Sequence, residues 1–242
     1  MKNKYVFWVA VICGAICSST VYAKENIGFL TAETAPDSLS LLPPPPPESS
    51  VAFLQDKAMY EKGHVLKNDK RFELAAKDAN YKNFGQAFSD AFGIEISAEH
   101  TPALYRLLTA VLQDSHDYAM RSAKNHYMRV RPFVVYNNPT CTPEQDSKMG
   151  ETGSYPSGHA SFGWAAALVL AEINPAREMD ILKRGIDFGE SRVICGAHWQ
   201  SDVDNGRIMG AAVVAALHAN TRFETMLYEA KKEFATLSAK SK

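Results

Sequence analysis

The sequence predicts an all-α fold, and two observations carry that prediction. After residue 50, apolar residues recur at intervals of three and four along most of the chain, which is the period of helices with one buried face. No segment alternates apolar and polar residues convincingly in the manner of a half-buried strand. With 242 residues, of which 46% are hydrophobic and 22% charged, the chain is long enough for a single helical domain with a substantial core.

The first 23 residues are predicted to be a signal peptide. Lys2 and Lys4 precede an apolar run over residues 5–17, and Val21-Tyr22-Ala23 resembles a cleavage site. The alternative, a membrane anchor, needs a longer apolar run than this one. We therefore expect export to the periplasm with cleavage near Ala23, and no membrane association afterwards.

Removal of the signal peptide changes the charge and the cysteine count. Without Lys2 and Lys4, 26 basic residues become 24 against 27 acidic ones, a net charge of −3, which argues against a nucleic-acid partner. Cys141 and Cys195 are the two cysteines that remain. In an oxidising compartment such a pair is expected to form a disulfide, and two buried free thiols are the alternative.

Residues 24–50 are predicted to be an extended arm preceding the helical domain of residues 51–242. Five consecutive prolines, Pro43 to Pro47, cannot enter a helix or a central strand and favour polyproline II. We expect this arm to lie along the domain. A ligand for a proline-recognising partner is the alternative interpretation.

Helices are predicted over residues 51–67 and 72–81. A third starts at Thr101-Pro102, with threonine as N-cap and proline at the first helical position. It is expected to continue to Arg131-Pro132, because a residue before proline is pushed out of the α region. Its predicted buried stripe consists of Leu104, Leu108, Val111, Ser115 and Tyr118.

The second half of the chain contains the predicted centre of the bundle. Residues 134–155 are predicted to be a loop, and residues 162–173, apolar on nearly all sides, are predicted to be a central helix. A second helix follows Asn174-Pro175 and ends at Cys195-Gly196, a third begins near His198, and a fourth spans residues 223–234. The core-facing residues predicted for the second and third are Met179, Leu182, Ile186, Ile208, Ala211, Val214 and Leu217.

Pro156-Ser157-Gly158-His159 opens the predicted central helix. Glycine allows the backbone to approach a ligand closely, and free N–H groups at a helix start suit a phosphate. Considered alone, this motif is a weak signal, and a simple turn before a helix is the favoured interpretation.

His198 and Asp202 are four residues apart and are expected on one face of a helix. The carboxylate can accept one ring N–H and leave the other nitrogen unprotonated and nucleophilic. A surface pair without a chemical role is the alternative.

Three cations accompany these motifs. Lys124 and Arg131 are seven residues apart, about two turns, and are expected on one side of the same helix end. Arg192 precedes His198 by six residues and offers a planar fork for phosphate oxygens. Together with two histidines and a carboxylate, these cations can move a phosphoryl group without a metal.

Three segments carry a resemblance to a known family. Lys124-x6-Arg131-Pro132, Pro156-Ser157-Gly158-His159 and Ser191-Arg192-x5-His198-x3-Asp202 resemble the signature of the phosphatidic-acid phosphatase/vanadium haloperoxidase superfamily. Within it, the string SRVICGAHWQSD is similar to the class A bacterial non-specific acid phosphatases, and the chain resembles the apyrases of that class especially. Ala160 departs from the threonine that many class A enzymes have.

The resemblance implies a helical bundle and a role for each motif residue. His198 would be the nucleophile that forms a phosphohistidine, Asp202 would orient it, and His159 would donate a proton to the leaving group. The residues implied to bind phosphoryl oxygens are Lys124, Arg131, Ser157, Gly158 through its N–H, and Arg192. The resemblance implies no metal and no cofactor. The remaining histidines, expected to be ordinary surface or capping residues, are His64, His100, His116, His126 and His218.

The leading hypothesis is therefore a secreted periplasmic acid phosphatase that acts on small phosphate monoesters. An apyrase that hydrolyses nucleoside tri- and diphosphates is the same-family alternative. A vanadium haloperoxidase is less favoured because those enzymes are generally much larger. A non-catalytic binding protein acting through the proline arm is a further alternative. The loop at residues 134–155 and the region of His100 are expected to shape the entrance, and the sequence leaves a homo-oligomer open.

Overall fold

The computed structural model describes residues 27–66 and 69–240, and its regular secondary structure there is entirely helical. The all-α prediction is therefore confirmed. None of the helices in these two ranges is long and apolar enough to cross a membrane. The predicted signal peptide lies outside the described residues.

Helices account for most of the described chain, and short turns of 3-10 or π type connect several of them. The α-helices are α1 (Ser38–Leu41), α2 (Val51–Val65), α3 (Lys70–Ala79), α4 (Phe84–Phe92), α5 (Pro102–Leu112), α6 (Arg121–Tyr127), α7 (Pro132–Val135), α8 (Asp146–Gly150), α9 (Gly158–Ile173), α10 (Glu178–Ile194), α11 (Gln200–Leu217) and α12 (Thr221–Lys240). The loop predicted at residues 134–155 thus contains α8 and the end of α7.

Helix α9 is the centre of the molecule, as predicted, and α10 and α11 pack closely against it. Glycines make that approach possible. A Cβ on Gly206 of α11 would lie 2.5 Å from the Ser157 carbonyl oxygen, and one on Gly210 would lie 2.4 Å from the Ser161 carbonyl oxygen. Backbone meets backbone here, so α11 holds the start of α9 without intervening side chains.

The long helix predicted from Thr101 to Arg131 is wrong, because two interruptions divide it. A π-helical turn at Gln113–Tyr118 follows α5, and α6 ends where Met128 takes a positive φ of 43°. In the π turn the buried Asp114 carboxylate accepts the N–H groups of Phe29 and Leu30, at 2.8 and 3.2 Å. This contact with a distant segment leaves no periodic signal in the sequence.

The predicted inner faces of α10 and α11 are wrong in part. Met179, Ile186 and Ile208 are 76%, 42% and 51% exposed. The neighbouring Ile181, Phe188 and Met209 are buried instead. The inner faces carry the glycines that meet α9, so a pattern of large apolar side chains alone selects the wrong side. Ala211 is also exposed, whereas Leu217 is buried as predicted.

The N-terminal arm lies on the helical domain, but the short helix α1 interrupts it, so it is not extended throughout as predicted. Leu42 is buried before the proline run, and Phe29 and Leu30 enter the main core. The Tyr155 hydroxyl donates to the Pro43 carbonyl oxygen at 2.6 Å. The arm therefore contacts the segment directly before the Pro156-Ser157-Gly158-His159 motif.

Candidate active site

The start of α9 is fixed by contacts with its neighbours. Ser157 is its N-cap, with Oγ accepting the Ala160 N–H at 3.3 Å. The Ser157 N–H donates to the Asp202 carbonyl oxygen at 2.9 Å. A Cβ on Gly158 would lie 3.0 Å from the His116 ring, so a larger residue here would require that ring to shift.

His198 lies just before α11, and Asp202 lies in its first turn. The Asp202 Oδ2 atom accepts the Trp199 N–H at 2.8 Å and lies 3.4 Å from His198 Nδ1. The sequence predicted that both residues lie in one helix, but only Asp202 does; His198 precedes Trp199, the N-cap of α11. The 3.4 Å separation is long for a hydrogen bond, as is common for catalytic pairs without substrate, and Nδ1 has no hydrogen-bond partner among the described residues.

Arg131 contacts the other nitrogen of His198. Its Nη1 atom lies 3.1 Å from His198 Nε2, and its Nη2 atom donates to the Gly153 carbonyl oxygen at 3.2 Å. Lys124 Nζ donates to the same carbonyl at 3.0 Å. The expectation that Lys124 and Arg131 share a helix end is wrong, because Lys124 is in α6 and Arg131 is extended before α7. The two nevertheless converge on Gly153.

Arg192 is buried near the end of α10, and its hydrogen-bond partners among the described residues are sulfur atoms. Its guanidinium lies 3.9 Å from Cys195 Sγ and 3.6 Å from Met149 Sδ, and its Nε has no hydrogen-bond partner among the described residues. Within residues 27–66 and 69–240, no carboxylate lies within 4.0 Å of the charged nitrogens of Lys124, Arg131 or Arg192. The three cations therefore leave positive charge available for an anion.

Burial makes these three charges costly. Together with the nearby Arg131 charge, it lowers the pKa of Lys124 to about 7 and that of Arg192 to about 9. Burial also lowers the pKa of Arg131, to about 10. A bound anion would offset these effects, because it stabilises the charged form of each side chain.

His159 is oriented by the backbone of α3. Its Nε2 donates to the Ala79 carbonyl oxygen at 3.0 Å, so a second proton on this ring must be on Nδ1. Burial, followed by the Arg192 charge, lowers the pKa of His159 well below its usual value. The neutral form of the ring is therefore favoured in the empty site.

His116 corrects the expectation of an ordinary surface residue. Its ring stacks on Tyr81 with centroids 4.8 Å apart and lies 5.4 Å from His159 in an edge-on arrangement. The Tyr81 and His159 centroids are 5.3 Å apart. These three residues are distant in the sequence, and no motif connects them. His100, by contrast, pairs with Glu95 at 3.0 Å and lines a groove beside α12, so its predicted place at the entrance is wrong.

Cys141 and Cys195 form a disulfide, as predicted, with their Cα atoms 4.9 Å apart. The bond joins the segment after α7 to the residue that follows α10. Cys195 lies three residues before His198, and the Cys141 N–H also donates to the Cys195 carbonyl oxygen at 3.3 Å. The two segments joined here, at Cys141 and at Cys195, both adjoin residues that surround His198.

Residues 103–225 match the PAP2 superfamily. The chain is 50% identical to a non-specific acid phosphatase of Providencia stuartii, with 95% of this chain and 98% of that protein covered. It is 41% identical to a non-specific acid phosphatase of Salmonella typhimurium, covering 96% and 93% of the two chains. It is 34% identical to an acid phosphatase of Zymomonas mobilis, covering 95% and 89%. The matched region contains all three sequence motifs.

Proposed function

We propose that this chain, which belongs to the PAP2 superfamily and is an acid phosphatase of bacterial class A, hydrolyses phosphate monoesters through a phosphohistidine at His198 without a metal ion. One observation carries the proposal. His198 lies between the Asp202 carboxylate near Nδ1 and the Arg131 guanidinium at Nε2, the charges of Lys124 and Arg192 also act on its ring, and none of these three cations has a paired carboxylate among the described residues.

In the first half of the reaction, His198 Nε2 attacks phosphorus and the bond to the leaving oxygen breaks. Asp202 stabilises the positive charge that develops on the imidazole. Lys124, Arg131 and Arg192 would bind the equatorial oxygens, with the Ser157 hydroxyl and the Gly158 N–H at the start of α9. Arg131 Nη1, which lies 3.1 Å from Nε2 in the empty site, would exchange this contact for one with a phosphoryl oxygen.

His159 would supply the proton to the leaving alcohol. Although neutral in the empty site, it gains basicity when a phosphate dianion enters beside Arg192, because the anion offsets the cation that lowers its pKa. In the second half, neutral His159 accepts a proton from water. That water attacks phosphorus, the bond to Nε2 breaks, and inorganic phosphate leaves.

Fixed positive charge supports a reaction that needs no metal. Phosphoryl transfer requires stabilisation of negative charge on the equatorial oxygens, which many enzymes obtain from divalent ions. Lys124, Arg131 and Arg192 would supply that positive charge here. Among the described residues, no group of three or more His, Cys, Asp or Glu side chains is arranged to hold a metal ion.

Export to the periplasm is part of the same proposal. Residues 1–23 have the composition of a signal peptide, followed by the arm at 24–50 and the catalytic domain at 51–242. The Cys141–Cys195 disulfide supports an oxidising compartment.

Apyrase activity is the second candidate, and His116 is the observation that favours it. Its ring lies 5.4 Å from His159, on the side where a leaving group would be protonated. A second protonatable ring there could bind the next phosphate of a nucleotide, whereas a simple alcohol would offer it nothing.

A phosphate-release panel with glycerol phosphate, an aryl phosphate, AMP, ADP and ATP, each with and without EDTA, tests the proposal. We expect hydrolysis of the monoesters and unchanged rates with EDTA. Strong EDTA inhibition that a divalent ion reverses would overturn the metal-free mechanism. Negligible monoester cleavage beside rapid cleavage of ATP and ADP would select apyrase.

A further inference from the structure

A buried arginine outside the proposed reaction steps joins Asp202 to a second carboxylate. The Arg129 side chain is 8% exposed. Its Nη1 atom donates to Asp202 Oδ1 at 2.5 Å and to the Ser201 hydroxyl at 2.8 Å, and its Nη2 atom donates to Asp56 Oδ2 at 2.7 Å. One guanidinium therefore bridges α2 and the first turn of α11.

Asp56 is almost fully enclosed, with a side chain 1% exposed. Its Oδ1 accepts the Ser201 N–H at 2.8 Å, and its Oδ2 accepts the Ser201 hydroxyl at 2.6 Å. The Arg129 guanidinium also lies over the Trp199 ring, 5.5 Å from its centroid. Ser201 and Trp199, which contact Asp56 and Arg129, belong to the same segment as His198 and Asp202.

We propose that Arg129 and Asp56 are positioning residues that hold the Asp202 carboxylate and control how strongly its charge acts on His198. The inference rests on the proposed role of His198 as nucleophile. It adds a second layer behind the pair: His198, Asp202, Arg129 and Asp56 form a row in which each charged group contacts the next.

Because the charges alternate along this row, Arg129 and Asp56 have opposite effects on the charge that Asp202 presents to His198. Arg129 withdraws part of the negative charge that Asp202 presents to His198 Nδ1. Asp56 offsets Arg129 and thereby returns some of that charge to the pair. Loss of Arg129 should favour the imidazolium form of His198, and loss of the Asp56 charge should disfavour it.

The other groups around His198 act from the opposite side. Burial lowers the pKa of His198 well below its usual value, and Arg131, Lys124 and Arg192 lower it further. The charge of Asp202 also acts on Lys124 and Arg131, whose pKa values it raises, and on Tyr155, whose hydroxyl stays neutral because burial raises its pKa. Arg129 and Asp56 thus change the charge that Asp202 presents to His198 and would do so without contacting phosphate.

The pH dependence of kcat/KM for one aryl phosphate tests the proposal. Its acidic limb should move to higher pH in Arg129→Met and to lower pH in Asp56→Asn, each by about half a unit to one unit, less than for a directly paired charge. The double variant should return the limb close to its original position. Ionisation of the substrate is common to all variants and cannot produce opposite shifts.

Two further variants separate charge from folding. Arg129→Lys keeps the charge but loses the fork, so its limb should stay in place while kcat falls. Arg222→Met is the control, because Arg222 joins α12 to the carbonyl oxygens of Ile27 and Gly28 and contacts no residue of the site. Its limb should not move. If Arg129→Met fails to fold, Asp56→Asn alone still gives a shift of predicted sign.

Unmoved limbs, or shifts of the same sign in Arg129→Met and Asp56→Asn, would overturn the inference. Trapping of the phosphoenzyme in the unsubstituted protein distinguishes failure of this inference from failure of the proposed function. A phosphohistidine at His198 with unmoved limbs would reject only the role of Arg129 and Asp56. Absence of phosphate from His198 would reject the proposed function itself.

Discussion

At the scale of single residues, the charges around His198 act in opposite directions. Burial, Arg131, Lys124 and Arg192 lower its pKa and favour the neutral nucleophile. Asp202, 3.4 Å from Nδ1, favours the imidazolium that would form in the proposed reaction when Nε2 bonds to phosphorus. A substrate dianion would weaken the first effect by occupying the cations, so the same site can serve both states of the ring.

His159→Ala should impair the reaction according to the leaving group. General acid catalysis typically contributes ~10²–10⁴-fold, so phosphates of simple alcohols should lose activity in that range. A nitrophenolate is stable without protonation and should leave with a much smaller loss. The measurement is kcat/KM for both substrates, with His126→Ala, an exposed histidine on α6, as control. Equal losses for the two substrates would contradict the assignment of His159 as the acid.

Phosphate binding should weaken above neutral pH because Lys124 loses its proton. Burial lowers the pKa of Lys124 to about 7 in the empty site, so its favourable charge is present below that pH and is lost above it. Lys124→Arg keeps a charge to higher pH. The ratio of the inhibition constants of phosphate for the original and variant proteins cancels the ionisation of phosphate. That ratio should rise from pH 7 to pH 9, and a constant ratio would show that Lys124 does not titrate there.

At the scale of helices, backbone contacts decide the geometry of the site. Gly206 brings α11 to within van der Waals contact of the Ser157 carbonyl, while Asp202 accepts the Ser157 N–H through its own carbonyl oxygen. The start of α9, which would offer N–H groups to phosphate in the proposed function, is thus attached to the helix that carries Asp202. Motion of either helix would change the distance between the anion site and the nucleophile.

Gly206→Ala should therefore damage both stability and activity. Alanine alone would favour a helix by about 1 kcal/mol, but its Cβ would lie 2.5 Å from a backbone oxygen. Overpacking of this kind costs about 1–3 kcal/mol, so the free energy of unfolding should fall, and kcat/KM should fall with it. Urea unfolding measures the first effect.

Gly150→Ala is the matched control for this experiment. A Cβ on Gly150 of α8 would meet Phe133 and Val134 at ordinary contact distances of 3.8 Å. This variant should be as stable as the original protein or slightly more stable. An equally stable Gly206→Ala would show that α9 and α11 can separate without cost.

The sequence predicted the motifs and the fold class because both are local or repetitive. Residues 156–159 open a helix as expected, and the apolar period identified most helices. The residues that it missed depend on contacts between distant segments: His116 meets Tyr81 and His159, and Arg129 meets Asp56 and Asp202. The wrong faces of α10 and α11 have the same origin, since glycines mark close packing that apolar periodicity does not register.

At the scale of the whole molecule, the disulfide connects distant parts of the chain around the site. Cys141 and Cys195 are 54 positions apart, and loop-closure entropy assigns roughly 4 kcal/mol to such a bridge, a value that measurements often fall below. The bond also fixes the residues directly before His198. Its loss should therefore affect activity as well as folding.

The Cys141→Ser/Cys195→Ser variant should unfold at a lower urea concentration and show a raised KM. Reduction of the original protein, with two free thiols verified by mass, should reproduce both effects and serves as the control for the serine substitutions. Unchanged stability in the fully reduced protein would remove the structural role assigned to the bond.

The chemical position of phosphate on the trapped enzyme tests the central claim most directly. Rapid acid quenching destroys phosphohistidine, so the intermediate should be denatured in alkali and examined by phosphorus NMR and peptide mass spectrometry. We predict one phosphoryl group on His198, bonded to Nε2, because Nδ1 faces Asp202 at 3.4 Å and Nε2 faces Arg131 at 3.1 Å. The label should disappear in His198→Ala. Phosphate on another residue, on Nδ1, or persisting in His198→Ala would contradict the account.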